Sequence, residues 1–256
     1  CILVVLVGRW LFYHSGFYSA PLSEMPRYEH IVVPGAPLTE FSDSFTQGEG
    51  TILIDLAHYN NFDVEELSVL TLRLISRGLT IEFLDIGDDL GTELYEADAF
   101  ILVCPQMEFS GSERETIDQF VNNGGKLLLI ADPTRPSEIN SLSLQFGLIF
   151  EPDYLYNLKE NDANYRNIFV TEFKENEITK GLEKIALYTT GSISSDNCGI
   201  ALVDENTFSS LIETREELSP IALANGSKVL AIYDLTFISE PYNGILDNNQ
   251  LISNIA

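Results

Sequence analysis

The stretch that decides the fold is ADAFILVCPQMEFSGSERETIDQFVNNGGKLLLIADP, residues 97–133. It contains two apolar runs, Asp98 to Pro105 and Lys126 to Pro133, and each has the length of one buried β-strand. The segment between them has helical spacing, opens on a capping box at Ser112 and Glu115, and ends at paired glycines. Two buried strands joined by a helix predict parallel pairing through a right-handed crossover.

The alternation of buried strands and helices continues upstream of residue 97. Thr51 to Phe62 is an apolar strand that breaks into a polar turn, Glu65 to Gly78 is an amphipathic helix, and Leu79 to Asp85 is a further strand. Strands that are apolar throughout are buried on both faces. The sequence therefore predicts an α/β fold with a doubly wound, mainly parallel sheet and helices on both faces.

The downstream half has a different pattern. A helix is expected from Ser137 to Gly147, and Leu148 to Asn157 is expected to add a strand to the sheet. Further on, Gly199 to Asp204 and Phe208 to Thr214 read as antiparallel strands, and the pair Asn225-Gly226 marks a tight hairpin. These segments predict an antiparallel extension at the edge of the parallel sheet.

Polar side chains follow the predicted strands at the edge where open α/β sheets bind ligands. They predict a ligand-binding cleft formed by Asp55, His58, Asn61, Gln106, Asp132, Thr134, Arg135 and Asp234. A second interpretation is structural, with Asp and Asn capping helices and His58 holding its own loop. Asp55, Asp132 and Asp234 are chemically able to bind a metal ion, but the spacing of ligand types repeats no metal motif.

Several motifs carry a resemblance to a known superfamily. They are IDLAHYNNF (54–62), the block 97–135, NEITKGL (176–182), VLAIYDLTFIS (229–239) and DNNQLISNIA (247–256). Together they resemble the glutamine-amidotransferase-like superfamily, including extracytoplasmic domains of auxiliary proteins of gliding-motility-type ABC transporters and related membrane-anchored proteins. The resemblance implies a Rossmann-like scaffold, and it implies that the polar loop 158–167 with its flanking tyrosines lies near the cleft.

The resemblance also bears on catalysis. Amidotransferases of that superfamily place a nucleophilic Cys in a Gly-x-Cys-x-Gly turn, whereas the turn after the fourth strand here, IADPTRP, contains no Cys. Cys104 precedes Pro105 one strand away, and only His58 lies within the domain as a base for it. Cys104 with His58 remains a candidate dyad, and a buried structural thiol is the other interpretation. The missing turn favours a protein that is not an enzyme.

The charge balance excludes one class of partner. The chain of 256 residues has 39 acidic and 14 basic residues, a formal net charge of −25, and no basic cluster. Such an acidic protein repels phosphate backbones, so nucleic-acid binding is not expected. Adaptation to high salt would give the same acidity, although the abundant Ile and Asn favour an ordinary acidic surface.

No Gly-rich phosphate loop is present in the sequence, so no cofactor is expected.

The first residues differ from the rest. CILVVLVGRWLFYHSGFY is apolar and aromatic, and it reads as the outer end of a membrane helix, as a lipidated Cys1 terminus, or as a strand or helix of the domain. Three regions are therefore expected. They are an anchor at 1–20, an extended Pro-containing linker at 21–49, and the α/β domain at 50–256 with an edge insertion at 158–220.

These observations give two expectations of function. The first is a non-catalytic, membrane-anchored, extracytoplasmic binding or scaffold domain. It would act as an accessory subunit of a transport or other membrane complex, with the membrane, other subunits and a small ligand as partners. The alternative is a hydrolase or amidotransferase-like enzyme that uses Cys104 and His58, or a metal bound by carboxylates.

The three widely spaced cysteines predict no disulfide framework, although a bond between Cys104 and Cys198 stays open.

Overall fold

The computed structural model describes residues 2–15, 35–211 and 218–256. The chain divides into two compact units, residues 1–34 and 35–256, and each is described by itself. Cys1 and residues 16–34, which include much of the predicted anchor and linker, lie outside the described residues. Residues 212–217 of the predicted edge insertion also lie outside them.

The first unit contains a single described element, the helix α1 (Ile2–His14). All of its side chains are exposed, including Ile2 at 80% and Trp10 at 61%. Within the described residues, no helix has the length and apolar character that a membrane crossing requires.

The second unit contains the remaining elements. Its described helices are α2 (Ser68–Ser76), α3 (Leu90–Glu96), α4 (Gly111–Asn122), α5 (Asn140–Ser143) and α6 (Asn248–Ile255). Its described strands are β1 (Thr51–Asp55), β2 (Thr80–Leu84), β3 (Ala99–Val103), β4 (Lys126–Ile130), β5 (Leu148–Phe150), β6 (Leu155–Asn157), β7 (Asn167–Val170), β8 (Glu172–Phe173), β9 (Ile185–Tyr188), β10 (Ile193–Ser195), β11 (Gly199–Leu202), β12 (Thr207–Ser209), β13 (Ile221–Ala224) and β14 (Val229–Ile232). Short 3-10 turns join several of them.

The main sheet is mixed. Within the described residues it has eight strands in the order β2-β1-β3-β4-β14-β13-β11-β8. The pairs from β2 to β14 are parallel, and the pairs from β14 to β8 are antiparallel. The mixed α/β class and the antiparallel edge are therefore confirmed. The hairpin predicted at Asn225-Gly226 is also confirmed, since it joins β13 to β14 with Ala224 opposite Val229.

Alternate residues of the parallel strands enter two separate apolar clusters, as the period of a β-strand requires. Ile101 and Val103 of β3 belong to one cluster, together with apolar side chains of α2 and α6. Phe100 and Leu102 belong to the other, together with apolar side chains of α3 and α4. Both faces of the parallel half are thus covered, which explains why its strands are apolar throughout.

Some predicted elements differ in the structure. The prediction that 148–157 adds a strand to the main sheet is wrong, because β5 pairs with β10 and β6 pairs with β12 in separate two-stranded sheets. The strand predicted near Phe208 likewise pairs with β6 and not with β11. Hydrophobic alternation identifies strands but carries no information on which partner each strand takes.

Two helix assignments also change. The capping box of α4 is formed by Ser110 and Glu113, two residues before the predicted pair of Ser112 and Glu115. The amide of Glu113 donates to Ser110 Oγ at 3.3 Å, and the amide of Ser110 donates to Glu113 Oε2 at 2.7 Å. Helix α3 was not predicted, and Asp89 caps it by accepting from the amide of Thr92. A single Asp before a seven-residue helix is a weak sequence signal.

The stretch expected as a linker, 21–49, is described from Gly35 onward, and there it belongs to the second unit. Leu38 forms an isolated antiparallel bridge with Ile245. Further along, the amide of Gly48 donates to the carbonyl of Arg77 at 2.8 Å, and Arg77 Nη2 lies 3.2 Å from Asp43 Oδ1. Residues 35–49 are therefore packed against the domain over the end of α2.

Candidate functional site

The carboxyl ends of the central parallel strands carry buried polar side chains. Asp55 ends β1, Cys104 follows β3, Asp132 lies two residues after β4, and Asp234 lies two residues after β14. All four are at most 2% exposed. Because these strands are parallel neighbours, their ends lie at one edge of the sheet.

His58 lies between two carboxylates. Its Nδ1 is 2.9 Å from Asp55 Oδ1 and 3.0 Å from Asp55 Oδ2, and its Nε2 is 3.5 Å from Glu113 Oε1. The imidazole stacks on the ring of Phe109 with centroids 3.9 Å apart. Burial lowers the pKa of His58, but the hydrogen bond to Asp55 and the charges of Asp55 and Glu113 outweigh burial, so the pKa is raised above 6.5. The arrangement stabilises a protonated imidazolium.

Cys104 is fully buried. The backbone φ of Cys104 is 41°, in the left-handed region. Its backbone N–H donates to the carbonyl of Ile130, and its backbone carbonyl accepts from the backbone N–H of Asn61. Burial, with a further contribution from the charge of Asp132, raises the pKa of the thiol to about 12. Both nitrogens of His58 face carboxylates, and no hydrogen bond in the described residues joins that imidazole to the Cys104 sulfur. A thiol in this state is protonated at neutral pH and is a poor nucleophile.

The state of the thiols gives a testable expectation. Cys104 and Cys198 are both free within the described chain, so the disulfide left open by the sequence is not formed. In a Cys1→Ser background, one thiol of the native protein should react with Ellman's reagent, because Cys198 is part-exposed and Cys104 is buried. Absorbance at the thionitrobenzoate band measures the number that react.

A control separates the two thiols in that assay. The additional substitution Cys198→Ser should abolish the reaction of the native protein, and both backgrounds should recover a reactive Cys104 after denaturation. Rapid reaction of Cys104 in the native Cys198→Ser protein would contradict its burial and its raised pKa.

Arg135 is held by an ion pair. Its Nη2 lies 2.6 Å from Glu66 Oε1 and its Nη1 lies 2.8 Å from Glu66 Oε2, while Nη1 also donates to the carbonyl of Asn61 at 2.9 Å. The hydrogen bond from Arg135 is the main cause that lowers the pKa of Glu66. This two-point contact connects the turn after β4 to the start of α2, and it uses the charge of Arg135 internally.

The three strand-end aspartates have separate partners. Asp55 contacts His58, and Asp132 Oδ1 accepts from the amide of Thr134 at 2.8 Å and from its hydroxyl at 2.5 Å. Asp234 accepts from the amides of Tyr188 and Thr236, and burial raises its pKa well above the usual range. Across the described ranges, no three His, Cys, Asp or Glu side chains form a group suited to a metal ion.

A cavity of about 530 Å³ opens at the ends of β4 and β14. Asp132, Thr134 and Arg135 line it from the turn after β4, and Tyr233 lines it from the end of β14. Residues from later in the chain also line it, among them Pro152, Asp153, Tyr154, Arg166 and Thr189. Volumes of about 300 to 1,000 Å³ are typical of small-molecule sites.

The predicted cleft is thus divided in two. Asp132, Thr134 and Arg135 line the cavity, whereas Asp55, His58, Asn61, Gln106 and Asp234 are not among its lining residues. The side chain of Gln106 is exposed. Its backbone N–H donates to the backbone carbonyl of His58 at 2.9 Å.

Sequence reasoning missed several residues of this edge. Glu113 and Phe109, which contact His58, and Asp153 and Tyr233, which line the cavity, were not predicted. Tyr233 directly precedes Asp234 at a strand end, so its position was a signal that could have identified it. The loop residues Tyr154 and Arg166 were expected near the cleft, and both line the cavity.

Comparisons with known proteins give structural neighbours only. No model of a known protein family matches this chain, and no curated protein matches it either. The solved structure described as "mmIFT52 N-terminal domain" aligns with a TM-score of 0.67 at 16% identity, over 80% of this chain and 95% of that one. At this identity the likeness shows a shared fold and nothing of activity.

Two bacterial structures align less well. They are ThuA-like proteins from Bacteroides uniformis, with a TM-score of 0.48 at 10% identity, and from Parabacteroides merdae, with a TM-score of 0.46 at 12% identity. The alignments cover 85% of this chain and 91% of the first protein, and 82% of this chain and 88% of the second. Neither adds to the fold assignment.

The resemblance stated from the sequence is corrected by these findings. The structure that aligns well is an IFT52 N-terminal domain, and not a glutamine-amidotransferase-like protein or an auxiliary domain of an ABC transporter. The motifs that suggested the resemblance are strand, helix and turn segments of the scaffold, and one such scaffold can serve unrelated functions. The chain therefore has the fold of the IFT52 N-terminal domain over four-fifths of its length.

Proposed function

We propose that this protein is a non-catalytic binding domain, tethered to a membrane by its N-terminal segment and acting as an accessory subunit of a membrane protein complex. Its ligand site is the cavity at the ends of β4 and β14. The proposal keeps the expectation of a doubly wound arrangement, in which this edge of the sheet is the usual place for a ligand. The observation that carries the proposal is the state of Cys104 and His58.

A cysteine enzyme would need the thiol within hydrogen-bond reach of a base, and the thiol would need to reach the substrate. Here the thiol is buried with a pKa of about 12, and the imidazole is held between Asp55 and Glu113. The alternative of a hydrolase that uses this pair therefore gains no support from the geometry. The open cavity one strand away offers a binding site that does not involve either residue.

The tether is supported by α1. An exposed apolar helix gains free energy by burying its side chains in a lipid interface, at about 0.025 kcal/mol per Å². Trp10, Phe12 and Tyr13 are residue types that favour that interface. Residues 15–50 contain one basic residue, Arg27, and a segment poor in basic residues is typical of the extracytoplasmic flank of a membrane anchor. We place the globular unit on that side.

Vesicle flotation tests the tether. The full chain should float with neutral phosphatidylcholine vesicles, and the double substitution Val4→Glu/Leu11→Glu should keep it at the bottom of the gradient. A charge costs about 2.5 to 3.5 kcal/mol at the centre of a bilayer and less near its surface. Immunoblotting of the fractions measures the floating share of the protein.

A matched control uses exposed leucines of the globular unit. Leu144 and Leu158 are 55% and 74% exposed, and Leu144→Glu/Leu158→Glu should float as the unsubstituted chain does. If the α1 variant floats equally well, or if the unsubstituted chain does not float, the tether is refuted.

A further inference from the structure

Arg166 and Tyr233 bring polar groups to the cavity that have no hydrogen-bond partner among the described residues. The guanidinium of Arg166 has no hydrogen bond or ion pair with any described residue, and it packs over the rings of Tyr154 at 4.4 Å and Tyr165 at 5.7 Å. Tyr233 is only 8% exposed, and its hydroxyl has no hydrogen-bond partner among the described residues. Neither group is a fully buried polar atom within the described residues, so both reach the open space of the cavity and are available to a ligand.

Two carboxylates line the cavity, and each already accepts hydrogen bonds. Asp153 Oδ1 accepts from the backbone amide of Ser192, and its Oδ2 accepts from the hydroxyls of Ser192 and Ser209. Asp132 uses Oδ1 for Thr134, while its Oδ2 accepts a single long bond of 3.5 Å from the amide of Leu235. A carboxylate oxygen has room for more than one donor. Asp132 Oδ2, like Asp153 Oδ1, therefore has room for a further donor.

The two arginines of the cavity differ in their ion pairing. Arg135 is neutralised by Glu66 at 2.6 Å, whereas Arg166 has no anionic partner in the described part of the chain. Tyr154 and Tyr165 hold the Arg166 guanidinium by cation–π contact, which reduces the entropy that it would lose on binding a ligand. In a protein of net charge −25, an anionic ligand is attracted only by such a local cation. The cavity thus presents a guanidinium with no anionic partner among the described residues, a carboxylate oxygen with room for a further donor, and the hydroxyl of Tyr233.

We propose that this cavity binds a sugar acid, a polyhydroxylated ring that carries one carboxylate. The ligand carboxylate pairs with the guanidinium of Arg166, and its hydroxyl groups donate to Asp132 Oδ2 and exchange a hydrogen bond with Tyr233. This proposal rests on the proposed binding function and names its ligand class. An uncharged sugar would leave Arg166 unpaired, and a phosphate would bring about two negative charges close to Asp132 and Asp153.

Calorimetric titration of the full chain tests the ligand class with D-glucuronate, D-galacturonate, D-glucose and acetate as probes. We expect one of the uronates to bind. We expect glucose and acetate to bind at least about tenfold more weakly, because glucose lacks the carboxylate and acetate lacks the ring hydroxyl groups. Arg166→Gln should weaken uronate binding about 10- to 100-fold, and Tyr233→Phe about two- to tenfold. Lys180→Gln, which removes the same charge from an exposed side chain outside the cavity, should leave it unchanged.

The outcomes separate the ligand class from the binding function. Equal affinity for glucose and glucuronate, or an Arg166→Gln variant that binds uronates as before, would overturn the sugar acid. Absence of heat with both uronates at millimolar concentration would overturn it as well. Vesicle flotation does not depend on the cavity, so it tests the tethered domain whatever the titration shows. Circular dichroism of each variant shows whether a loss of binding comes from a loss of folding.

Discussion

Replacing Asp55 with alanine should lower the free energy of unfolding by about 3 to 5 kcal/mol near pH 6, because it leaves a buried imidazolium without its closest anion. Asp55 is fully buried, His58 is 5% exposed, and both carboxylate oxygens lie within 3.0 Å of Nδ1. Glu113, at 3.5 Å from the other nitrogen, replaces only part of the lost interaction. Urea denaturation followed by circular dichroism measures the change.

The effect should depend on pH in a defined direction. The pKa of His58 is raised in the folded protein, so the stability that its proton contributes is fully present below about pH 6.5. That stability is lost as the pH rises through the folded-state pKa. The difference between the native chain and Asp55→Ala should therefore be larger at about pH 5.5 than at about pH 8.5.

Asp85 provides the matched control. It is an exposed aspartate that follows β2, and Asp85→Ala should change the stability by about 0.5 kcal/mol or less. A loss for Asp55→Ala no larger than for Asp85→Ala would show that the buried pair contributes little. A difference that grows towards alkaline pH would show that His58 is neutral in the folded protein.

Phe100→Ala should destabilise the protein by about 3 to 5 kcal/mol, through lost burial and the cavity that remains. Phe100 is a fully buried residue of β3, in the cluster that α3 and α4 cover. The expected measurement is a lower urea midpoint with an unchanged slope, because the surface exposed on unfolding stays the same.

The same substitution at an exposed strand position provides the comparison. Phe83 of β2 is 39% exposed, and Phe83→Ala should cost about 1 kcal/mol or less. Similar losses at both positions would contradict the burial that places β3 in the middle of the sheet.

The parallel half of the sheet was predictable because its signal is local and redundant. The runs at 98–105 and 126–133 are apolar at every position, and glycines end the helix between them. The partners of β5 and β6 were not predictable, since three-residue strands carry too little pattern to specify pairing. Pairing depends on tertiary contacts that sequence alternation does not encode.

The candidate site was predictable in position and not in detail. The rule that ligands bind at strand ends identified Asp132, Thr134 and Arg135, which line the cavity. Sequence could not show that Arg135 is paired with Glu66 whereas Arg166 has no anionic partner among the described residues. The pairing of a charged side chain depends on residues distant in the chain, and only the folded structure brings them together.

Strand β14 lies between β4 and β13 in the main sheet, yet its residues, 229–232, come long after those of β4, 126–130, in the sequence. A nascent chain emerging from the ribosome can assemble β1 to β4 early, but one side of β4 then stays unpaired until β14 is synthesised. An open apolar strand edge invites association with other chains. The interval between the synthesis of β4 and that of β14 is therefore the one in which this apolar edge is open to association with other chains.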